Sequence, residues 1–228
     1  MSERFQRLIP DCADGLTAAE IASEMPRPPR GDRPFLAVNF VATADGRATI
    51  AGRTRPIANR ADYELFNALR TRFDAVMVGA QTVRVEGYGP MAQRAILVSR
   101  TCDVPPEVGL LSAPGNRVTV LTPSHDGELE PCAAEVAYLR EGDLATAMRR
   151  LHTELGIDSV LCEGGPQLLA NLIAAEAVDE LHLVYAAKLA GGTTPLTILT
   201  GAPLDPPLDL ELISLHEAGG YLFARYGL

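Results

Sequence analysis

The chain has 228 residues, of which 47% are hydrophobic and 21% charged, a composition typical of a globular protein with a sizeable core. Its net charge of −9 argues against a general nucleic-acid binder, and no apolar run reaches the roughly 20 residues that a membrane span needs. The sequence begins without an apolar signal segment, and its four cysteines are scattered. We therefore expect a cytoplasmic protein with reduced cysteines and no metal site.

Residues 1–33 are predicted to form an N-terminal arm, and residues 34–228 the main domain. A short helical pattern around Ala18–Met25 is followed by a stretch rich in proline and glycine.

From Phe35 onward, short apolar runs alternate with helical patterns. The runs predicted as strands are FLAVNFVA, DAVMVG, AILVS, RVTVLT, EVAYL, DSVLCE and ELHLVYA. Most carry Val, Ile or Leu on both faces, which indicates strands buried on both sides. We predict an α/β fold with a largely parallel central sheet, helices on both faces and a C-terminal antiparallel hairpin around Gly219-Gly220.

Three helices are predicted from apolar residues at helical spacing. Each follows a capping or turn residue: Asn59 precedes a helix from Arg60 to about Phe73, Asp143 precedes Leu144–Leu155, and Gly165 precedes a helix to about Ala175.

The most informative segment, residues 160–169, reads V-L-C-E-G-G-P-Q-L-L. It predicts a buried strand ending at Glu163, a turn through Gly164 and Gly165, and a helix with Pro166 in its first turn. The first N–H groups of such a helix can bind a phosphate, and carboxyl ends of strands are where open α/β sheets bind ligands. An ordinary tight turn explains the same residues equally well.

Two further segments are predicted to lie at the same edge of the sheet. In residues 76–82 a strand leads through Gly79 to Thr82, whose hydroxyl can bind a ligand; a plain N-cap is the simpler explanation. In residues 42–47, Asp45 and Gly46 follow the strand that contains Asn39 and form a third candidate site, for which a simple turn is the alternative explanation. Two glycine-containing turns after strands suggest a dinucleotide across this edge, although no G-x-G-x-x-G follows the first strand.

Ser99 and Arg100 end another strand and can hold a 2′-phosphate, which favours NADP over NAD. Arg100 can equally be a solvated loop residue. Other catalytic classes have less support, because the sequence lacks a G-x-x-x-x-G-K-[ST] loop, a G-x-S-x-G elbow and a zinc-deaminase signature.

Together these segments resemble the pyrimidine reductase family of riboflavin biosynthesis, which has the dihydrofolate-reductase-like fold. The resemblance runs from about Arg33 to the C-terminus and rests on TADGR at 43–47, DAVMVGAQTV at 74–83, VLCEGGPQLL at 160–169, and VDEL followed by KLAGG within 178–192. It implies a stand-alone, homodimeric reductase without the deaminase to which many bacterial members are fused. NADPH would donate hydride, and the ribosyl side chain of a ribosylamino-pyrimidinone 5′-phosphate would be reduced to ribityl.

The resemblance also implies site residues. Those at the family's NADPH-contact positions are Val41, Thr82, Glu86, Gly165, Pro166, Gln167, Leu168 and Leu169. Gly79, Ser99, Arg100 and Gly164 complete the cofactor candidates. Those at substrate-contact positions are Thr54, Arg70 and Glu163, to which we add Asn39 and Arg94. The catalytic candidates are Glu163 and Asp45.

The residue chemistry fits several of these roles. Arg70 follows Phe66 by one helical turn, so it can extend over an apolar face toward a phosphate. Glu163 can accept sugar hydroxyls or guide a proton to an imine nitrogen. Asn39 stands where fused bacterial enzymes carry lysine and archaeal-type stand-alone reductases carry asparagine.

One segment departs from the family. Residues 85–90 read V-E-G-Y-G-P where the family usually reads D-D-P, and Gln93 occupies the position of a substrate-contacting arginine, with Arg94 beside it. Two alternatives therefore stay open. One is a reductase of the same fold that acts on another acceptor, such as dihydrofolate. The absence of tryptophan argues against dihydrofolate, because typical dihydrofolate reductases carry a tryptophan beside the substrate loop. The other is a non-catalytic nucleotide-binding protein that keeps the cleft.

Overall fold

The computed structural model describes residues 2–25, 28–193 and 195–228, so Met1, Pro26 and Arg27 of the predicted arm lie outside the described residues. The elements in chain order are β1 (Phe5–Ile9), β2 (Ala13–Leu16), α1 (Ala18–Ala22), β3 (Phe35–Thr43), α2 (Arg60–Arg70), β4 (Ala75–Gly79), α3 (Ala80–Glu86), β5 (Arg94–Val98), α4 (Gly109–Ser112), β6 (Arg117–Thr122), β7 (Glu135–Arg140), α5 (Leu144–Thr153), β8 (Ser159–Cys162), α6 (Pro166–Ala174), β9 (Glu180–Ala186), β10 (Glu211–Ala218) and β11 (Tyr221–Gly227).

The strands form one sheet in the order β2-β1-β10-β11-β9-β3-β8-β4-β5-β6-β7. Neighbours from β9 to β7 pair in parallel, and neighbours from β9 to β2 pair antiparallel. The predicted fold class is confirmed, because the sheet is largely parallel and the chain ends in the β10–β11 hairpin. Its turn passes through Gly219 and Gly220, which both have the positive φ that favours glycine.

Apolar side chains on both faces of the central strands explain why helices cover both sides. On β3, Leu36 and Val38 pack with α5 and α6, whereas Phe35 and Ala37 pack with α1 and α2. A third cluster of apolar side chains lies between β4, β5, β6, α3 and α4. All four residues of β8 are buried, so the strand that leads into the glycine turn is fixed at the centre of the sheet.

The predicted helix starts are confirmed by their caps. The Asn59 side chain accepts a hydrogen bond from the Asp62 N–H at 2.8 Å, and Asp143 accepts one from the Thr146 N–H at 2.9 Å. Two helices end earlier than predicted, α2 at Arg70 and α5 at Thr153.

The arm contributes more regular structure than the sequence predicted. Besides the short helix α1, it supplies β1 and β2, which extend the antiparallel side of the sheet beyond β10. Phe5 packs edge-on against Phe223 of β11, with 5.1 Å between ring centroids. These strands were missed because β1 has one fully buried side chain and β2 has none, which leaves little hydrophobic pattern.

Candidate functional site

Glu163 is placed by the end of the central strand β8. Its N–H donates to the Met77 carbonyl at 2.9 Å, and the next carbonyl, of Gly164, accepts from the Gly79 N–H at 3.1 Å. Gly164 has φ +110, a conformation that side-chain-bearing residues rarely adopt, and a Cβ there would lie 3.6 Å from the Phe40 ring. The ends of β4 and β8 are therefore joined into one rigid corner.

Thr82 stabilises the same corner, but not as the N-cap that the sequence favoured. Gly79 is the N-cap of α3, so Thr82 lies within the first turn of the helix. Its hydroxyl accepts a hydrogen bond from the Gly165 N–H at 3.3 Å. A Cβ at residue 165 would lie 3.2 Å from that hydroxyl oxygen, which explains why glycine suits this position.

Arg70 and Glu163, both predicted as substrate residues, form a buried ion pair. Arg70 Nε and Nη2 each donate to one carboxylate oxygen at 2.5 Å. The guanidinium lies over the Phe66 ring, 4.2 Å from its centroid, so the predicted path over an apolar face is confirmed. Its Nε and Nη2 both donate to Glu163, and its reach toward a phosphate stays a prediction.

Burial governs the ionisation of this pair. It raises the pKa of Glu163 above the ordinary value, and the hydrogen bonds and charge of Arg70, with the nearby Tyr88 hydroxyl, oppose that effect. Burial lowers the pKa of Arg70, but the bonds to Glu163 outweigh it and the net direction is upward, so Arg70 stays charged. A carboxyl group with a raised pKa is better suited to exchange a proton near neutral pH.

Tyr88 completes this cluster, and sequence reasoning did not include it. The Arg70 guanidinium lies 5.3 Å from the Tyr88 ring centroid, and Glu163 is near enough for its charge to affect the pKa of the phenol. Burial, with the charge of Glu163, raises the pKa of Tyr88 well above 10, so the hydroxyl remains a donor. The one signal in the sequence was that residue 88 falls in the segment that departs from the family.

Asn39 stands beside Glu163 on the neighbouring strand. Val38 pairs with Cys162 in parallel register, so residues 39 and 163 follow at the same level. Alternation along each strand places both on the face covered by α2. Across the other side of β3, Asn39 pairs with His182 of β9.

Thr54 and Glu86, a substrate candidate and a cofactor candidate, are in contact. The Thr54 N–H donates to Glu86 Oε1 at 2.9 Å, and Arg53 Nη1 donates to the Val85 carbonyl at 2.8 Å. The loop after β3 is thereby held against the end of α3. Val41 lies on the same face of β3 as Asn39 and is half-buried.

Asp45 has a different environment from the other catalytic candidate. Its carboxylate accepts hydrogen bonds from the Thr43 hydroxyl at 2.5 Å and from the N–H groups of Ala190 and Gly191 at 3.1 and 2.6 Å. The Thr43 bond, followed by these backbone bonds, lowers the pKa of Asp45 to about 2. The geometry favours the turn explanation, because such a carboxylate is poorly suited to donate a proton at neutral pH.

The prediction that Arg94 belongs with the substrate-binding residues is wrong, because it lies apart from the other substrate candidates. It begins β5 and pairs with Ala75, which is in register with Val160 at the far end of β8 from Glu163. Its Nη1 donates to Thr119 at 3.1 Å, on the face that packs against α5 and α6. The side chain therefore lies on the opposite face of the sheet from Arg70 and Glu163.

The remaining cofactor candidates lie along the carboxyl edge. Ser99 follows β5 and is buried, and its hydroxyl accepts from the Cys102 N–H at 3.0 Å. Arg100 is exposed beside it.

In the first turn of α6, the side chains of Leu168 and Leu169 belong to the core. Pro166 has no N–H, and the first helical bond is made by the Leu169 N–H to the Gly165 carbonyl at 3.0 Å. The backbone N–H groups of Gln167 and Leu168 are therefore the donors that this turn offers to a ligand.

Residues 2–25, 28–193 and 195–228 contain neither a metal-binding cluster nor a membrane-spanning helix. No group of three or more His, Cys, Asp or Glu side chains there could hold a metal ion. None of the helices in these ranges has the length and hydrophobicity to cross a membrane.

Comparison with known proteins gives a consistent result. Residues 34–221 match the sequence profile of the RibD C-terminal domain family. The chain is 27% identical over 212 residues to the 2,5-diamino-6-ribosylamino-4(3H)-pyrimidinone 5′-phosphate reductase of Methanothermobacter thermautotrophicus, covering 85% of this chain and 98% of that one. It is 26% identical to the riboflavin biosynthesis protein RibD of Actinobacillus pleuropneumoniae, of which it spans 57%.

Solved structures support the fold. A pyrimidine reductase-like protein from Corynebacterium diphtheriae superposes with a TM-score of 0.71 at 21% identity, covering 93% of this chain and 98% of that one. A deaminase/reductase from Thermotoga maritima gives a TM-score of 0.72 at 20% identity, covering 92% of this chain and 60% of that one.

Proposed function

Since the chain belongs to the RibD C-terminal domain family, we propose that it is an NADPH-dependent reductase of riboflavin biosynthesis. It reduces the ribosyl side chain of a ribosylamino-pyrimidinone 5′-phosphate to ribityl. The observation that carries this proposal is the buried Arg70–Glu163 pair, which adjoins the glycine corner at the carboxyl edge of a parallel sheet. Similarity over 85% of this chain to the 2,5-diamino-6-ribosylamino-4(3H)-pyrimidinone 5′-phosphate reductase of Methanothermobacter thermautotrophicus supports the substrate.

The glycine corner fits a dinucleotide. Side chains at residues 164 and 165 would approach Phe40 and Thr82, so glycine keeps the corner compact, and α6 starts directly beyond it with Gln167 exposed. The N–H groups of Gln167 and Leu168 lie at the positive end of the α6 dipole and can bind a diphosphate. When bound, the reduced nicotinamide supplies the hydride for the reaction.

Glu163 and Asn39 act on the acceptor in this proposal. Reduction of the open-chain imine adds a hydride at C1′ and a proton at nitrogen. Glu163, with its raised pKa, holds that proton or accepts a sugar hydroxyl. Asn39 offers amide donors and acceptors at the same level of the sheet. The remaining task of the protein is to orient the reactants and exclude water.

The preference for NADPH over NADH is assigned to Arg100. Its exposed side chain follows β5 at the carboxyl edge and can pair with a 2′-phosphate, whereas the hydroxyl of Ser99 is engaged in its own turn. We expect Arg100→Ala to weaken NADPH binding and leave NADH binding unchanged, as measured by titration with each coenzyme.

The function is tested by supplying NADPH with the ribosylamino-pyrimidinone phosphate and following nicotinamide absorbance. Both the amino form and the deaminated form are assayed. We expect turnover of one of them, and Glu163→Gln serves as the inactive control. Tight binding of NADPH without turnover of either compound would reject the proposed substrate.

A second candidate is a reductase of the same fold with another acceptor, such as dihydrofolate. Its support is the engagement of Arg70 by Glu163 and the presence of Gln93 where the resemblance places a substrate-contacting arginine. Dihydrofolate turnover well above pyrimidine turnover in the same assay would decide for it.

We also propose a homodimer that forms through the outer face of β9 and β11. Leu222 and Tyr185 are paired across these strands and are 38% and 36% exposed, and the Tyr185 hydroxyl lies 3.3 Å from that of Tyr226. A second copy would cover this apolar face. Leu222→Glu should give a monomer by light scattering, whereas Leu155→Glu, at a residue of similar exposure beyond α5, should leave the dimer intact.

A cytoplasmic location is proposed because all four cysteines are free, which fits a reducing compartment. Cell fractionation with immunodetection tests it, and recovery in the secreted fraction would reject it.

A further inference from the structure

A row of polar side chains crosses five neighbouring strands on the face of the sheet that α1 and α2 cover. The register of β3, β9, β11 and β10 places one of these side chains on each strand at the same level, and the residue that follows β8 continues the row. Alternation along each strand puts them all on one face. In the order of the strands, this polar row consists of Glu163, Asn39, His182, Arg225 and Ser214. The proposed acid of the reaction is therefore one end of a line of polar groups beneath the helices.

Buried polar atoms in this row need hydrogen-bonding partners, and Arg225 has them. Its Nε and Nη2 donate to Glu180 at 2.6 and 2.9 Å, and its Nη1 donates to Glu24 at 3.2 Å. His182, which is 9% exposed, is different. Its Nε2 lies 3.5 Å from Glu180 Oε2, beyond the usual range of about 2.7–3.2 Å, and none of the described residues forms a hydrogen bond with this nitrogen. The environment of His182 therefore indicates a partner other than a protein side chain.

A cavity of about 30 Å³ lies between the polar row and the helices. Its volume exceeds the roughly 10–15 Å³ that one water molecule needs, and cavities with polar walls hold ordered water whereas purely apolar ones stay dry. Apolar side chains of α1, α2 and the sheet form one part of the wall. The polar part of the wall consists of Glu24, Asn39, His182, Ser214, His216 and Arg225. Water is therefore the ligand that fits the size and the chemistry of this cavity.

We propose that one ordered water molecule in this cavity bridges Nε2 of His182 and the side-chain amide of Asn39, and that His182 is thereby a positioning residue for Asn39. The two residues pair across β9 and β3, and such neighbours stand about 4.8 Å apart. Two hydrogen bonds of about 2.8 Å to one water molecule span that separation. The water and its two contacts are independent of the activity, whereas the role in acceptor binding rests on the proposed function.

Asn39 has one neighbour in the polar row on each side. Toward β8, Glu163 is engaged by Arg70, which donates to both carboxylate oxygens. Toward β9, burial lowers the pKa of His182, so its imidazole is neutral and offers one donor and one acceptor. A water molecule held by that imidazole fixes which end of the Asn39 amide, the oxygen or the nitrogen, faces the acceptor. Removal of the imidazole should therefore weaken acceptor binding.

The bridge is tested by a crystal structure of the unsubstituted protein at a resolution that shows ordered water. We expect a water molecule within about 3.2 Å of both Nε2 of His182 and a side-chain atom of Asn39. A dry cavity, or a water molecule that contacts only one of the two side chains, would overturn the proposal. This measurement needs no variant, so it does not depend on whether a substitution in the core allows folding.

The positioning role is tested by steady-state kinetics on His182→Leu. Loss of one hydrogen bond predicts that the KM for the pyrimidine acceptor rises about 3- to 10-fold, while kcat and the KM for NADPH stay within about two-fold. The matched control is His216→Leu, which removes an imidazole from the same cavity but on β10, two strands away from β9. It should leave all three parameters unchanged. Equal effects of the two variants would show that the cavity matters only for packing, and would overturn the role of His182.

A conservative variant completes the test. The side-chain amide of His182→Gln reaches about as far as the imidazole Nε2 and can hold the same water, so this variant should restore the acceptor KM that His182→Leu loses. A bridging water together with an unchanged acceptor KM in His182→Leu would overturn the positioning role. If the unsubstituted protein reduces no pyrimidine acceptor, the proposed function fails, while the crystal structure still decides whether the bridge exists.

Discussion

The face of the sheet covered by α1 and α2 carries two arginine–glutamate pairs with the same geometry. At the end of β8, Arg70 donates Nε and Nη2 to Glu163 at 2.5 Å each. Between β11 and β9, Arg225 donates the same two nitrogens to Glu180 at 2.6 and 2.9 Å. The two pairs use the same donor and acceptor atoms, yet the pKa of Glu163 is raised and the pKa of Glu180 is lowered.

The neighbours of each pair account for the difference. Burial raises the pKa of both glutamates, but at Glu180 the nearby His182 imidazole and the bonds from Arg225 outweigh it and lower the pKa to about 2. At Glu163 burial prevails over Arg70 and Tyr88. Glu180 is therefore held as an anion that links β9 to β11, whereas Glu163 stays able to take up a proton. An ion pair in a structure does not by itself indicate which of these roles it has.

The largest expected effect is on catalytic activity, which should depend on the Arg70–Glu163 pair and not on the Arg225–Glu180 pair. Glu163→Gln should lower kcat/KM by about 10²- to 10⁴-fold, because it removes the carboxyl group that we propose exchanges the proton. Glu180→Gln, the matched control in the other pair, should keep turnover within a few-fold of the unsubstituted protein. Steady-state kinetics on folded samples checks both, and equal losses would show that the two pairs do not differ in role.

The next largest effect is on the free energy of unfolding, which should depend more on the Arg225–Glu180 pair than on the Arg70–Glu163 pair. Arg225→Ala leaves Glu180 buried without its main cation, and should lower the free energy of unfolding by about 3–5 kcal/mol at neutral pH, measured by urea denaturation. Arg70→Ala should cost less, because the Arg70 side chain is 21% exposed and that of Arg225 is 8% exposed.

The pH dependence of the Arg225→Ala effect has a definite sign. The folded pKa of Glu180, about 2, lies below its ordinary value of 4.5. The stabilisation is therefore present above 4.5 and is lost as the pH falls from there through about 2. The stability curves of the two proteins should converge in acid, and a constant gap would contradict this origin.

A third buried carboxyl group shows what burial does without an arginine. Burial alone raises the pKa of Asp62, in the first turn of α2, to about 6 from 3.8. Its ionisation therefore destabilises the fold progressively from pH 3.8 to 6. Asp62→Asn should stabilise the protein by up to about 3 kcal/mol at neutral pH, and by little below pH 3.8. Urea denaturation at both pH values checks this, and equal effects would argue against ionisation as the cause.

The smallest expected effect concerns the turn at Gly164, which directly follows Glu163. Gly164→Ala forces a side chain into φ +110, and should cost about 1–2 kcal/mol of stability. The control Gly142→Ala, at a residue without positive φ, should be close to neutral. Thermal unfolding of both variants measures the difference. Equal melting temperatures would mean that the corner tolerates a side chain.

The sequence predicted the elements whose side chains carry their own signal. Apolar runs such as that of β3 identify strands buried on both faces, and Asn59 and Asp143 mark helix starts. The edge strands β1 and β2 were missed, because backbone pairing to β10 holds them in place and requires few apolar side chains.

The parts of the candidate site formed by residues close together in the sequence could be predicted. The corner after Cys162 could be identified from consecutive residues, whereas the pairing of Arg70 with Glu163 joins positions 93 apart and depends on how α2 packs. Thr82 was wrongly expected as an N-cap because Gly79 already occupies that position. Arg94 was misplaced because closeness in sequence does not preserve the face or the end of a strand.

The position of β3 has a consequence for how fast the chain folds. Phe35 pairs with Ser159 and Ala37 pairs with Glu180, so both central ladders require the closure of very long loops. The β10–β11 hairpin, by contrast, closes through two glycines and can form early. We expect slow refolding in stopped-flow experiments, with hydrogen exchange protecting the hairpin before the centre of the sheet.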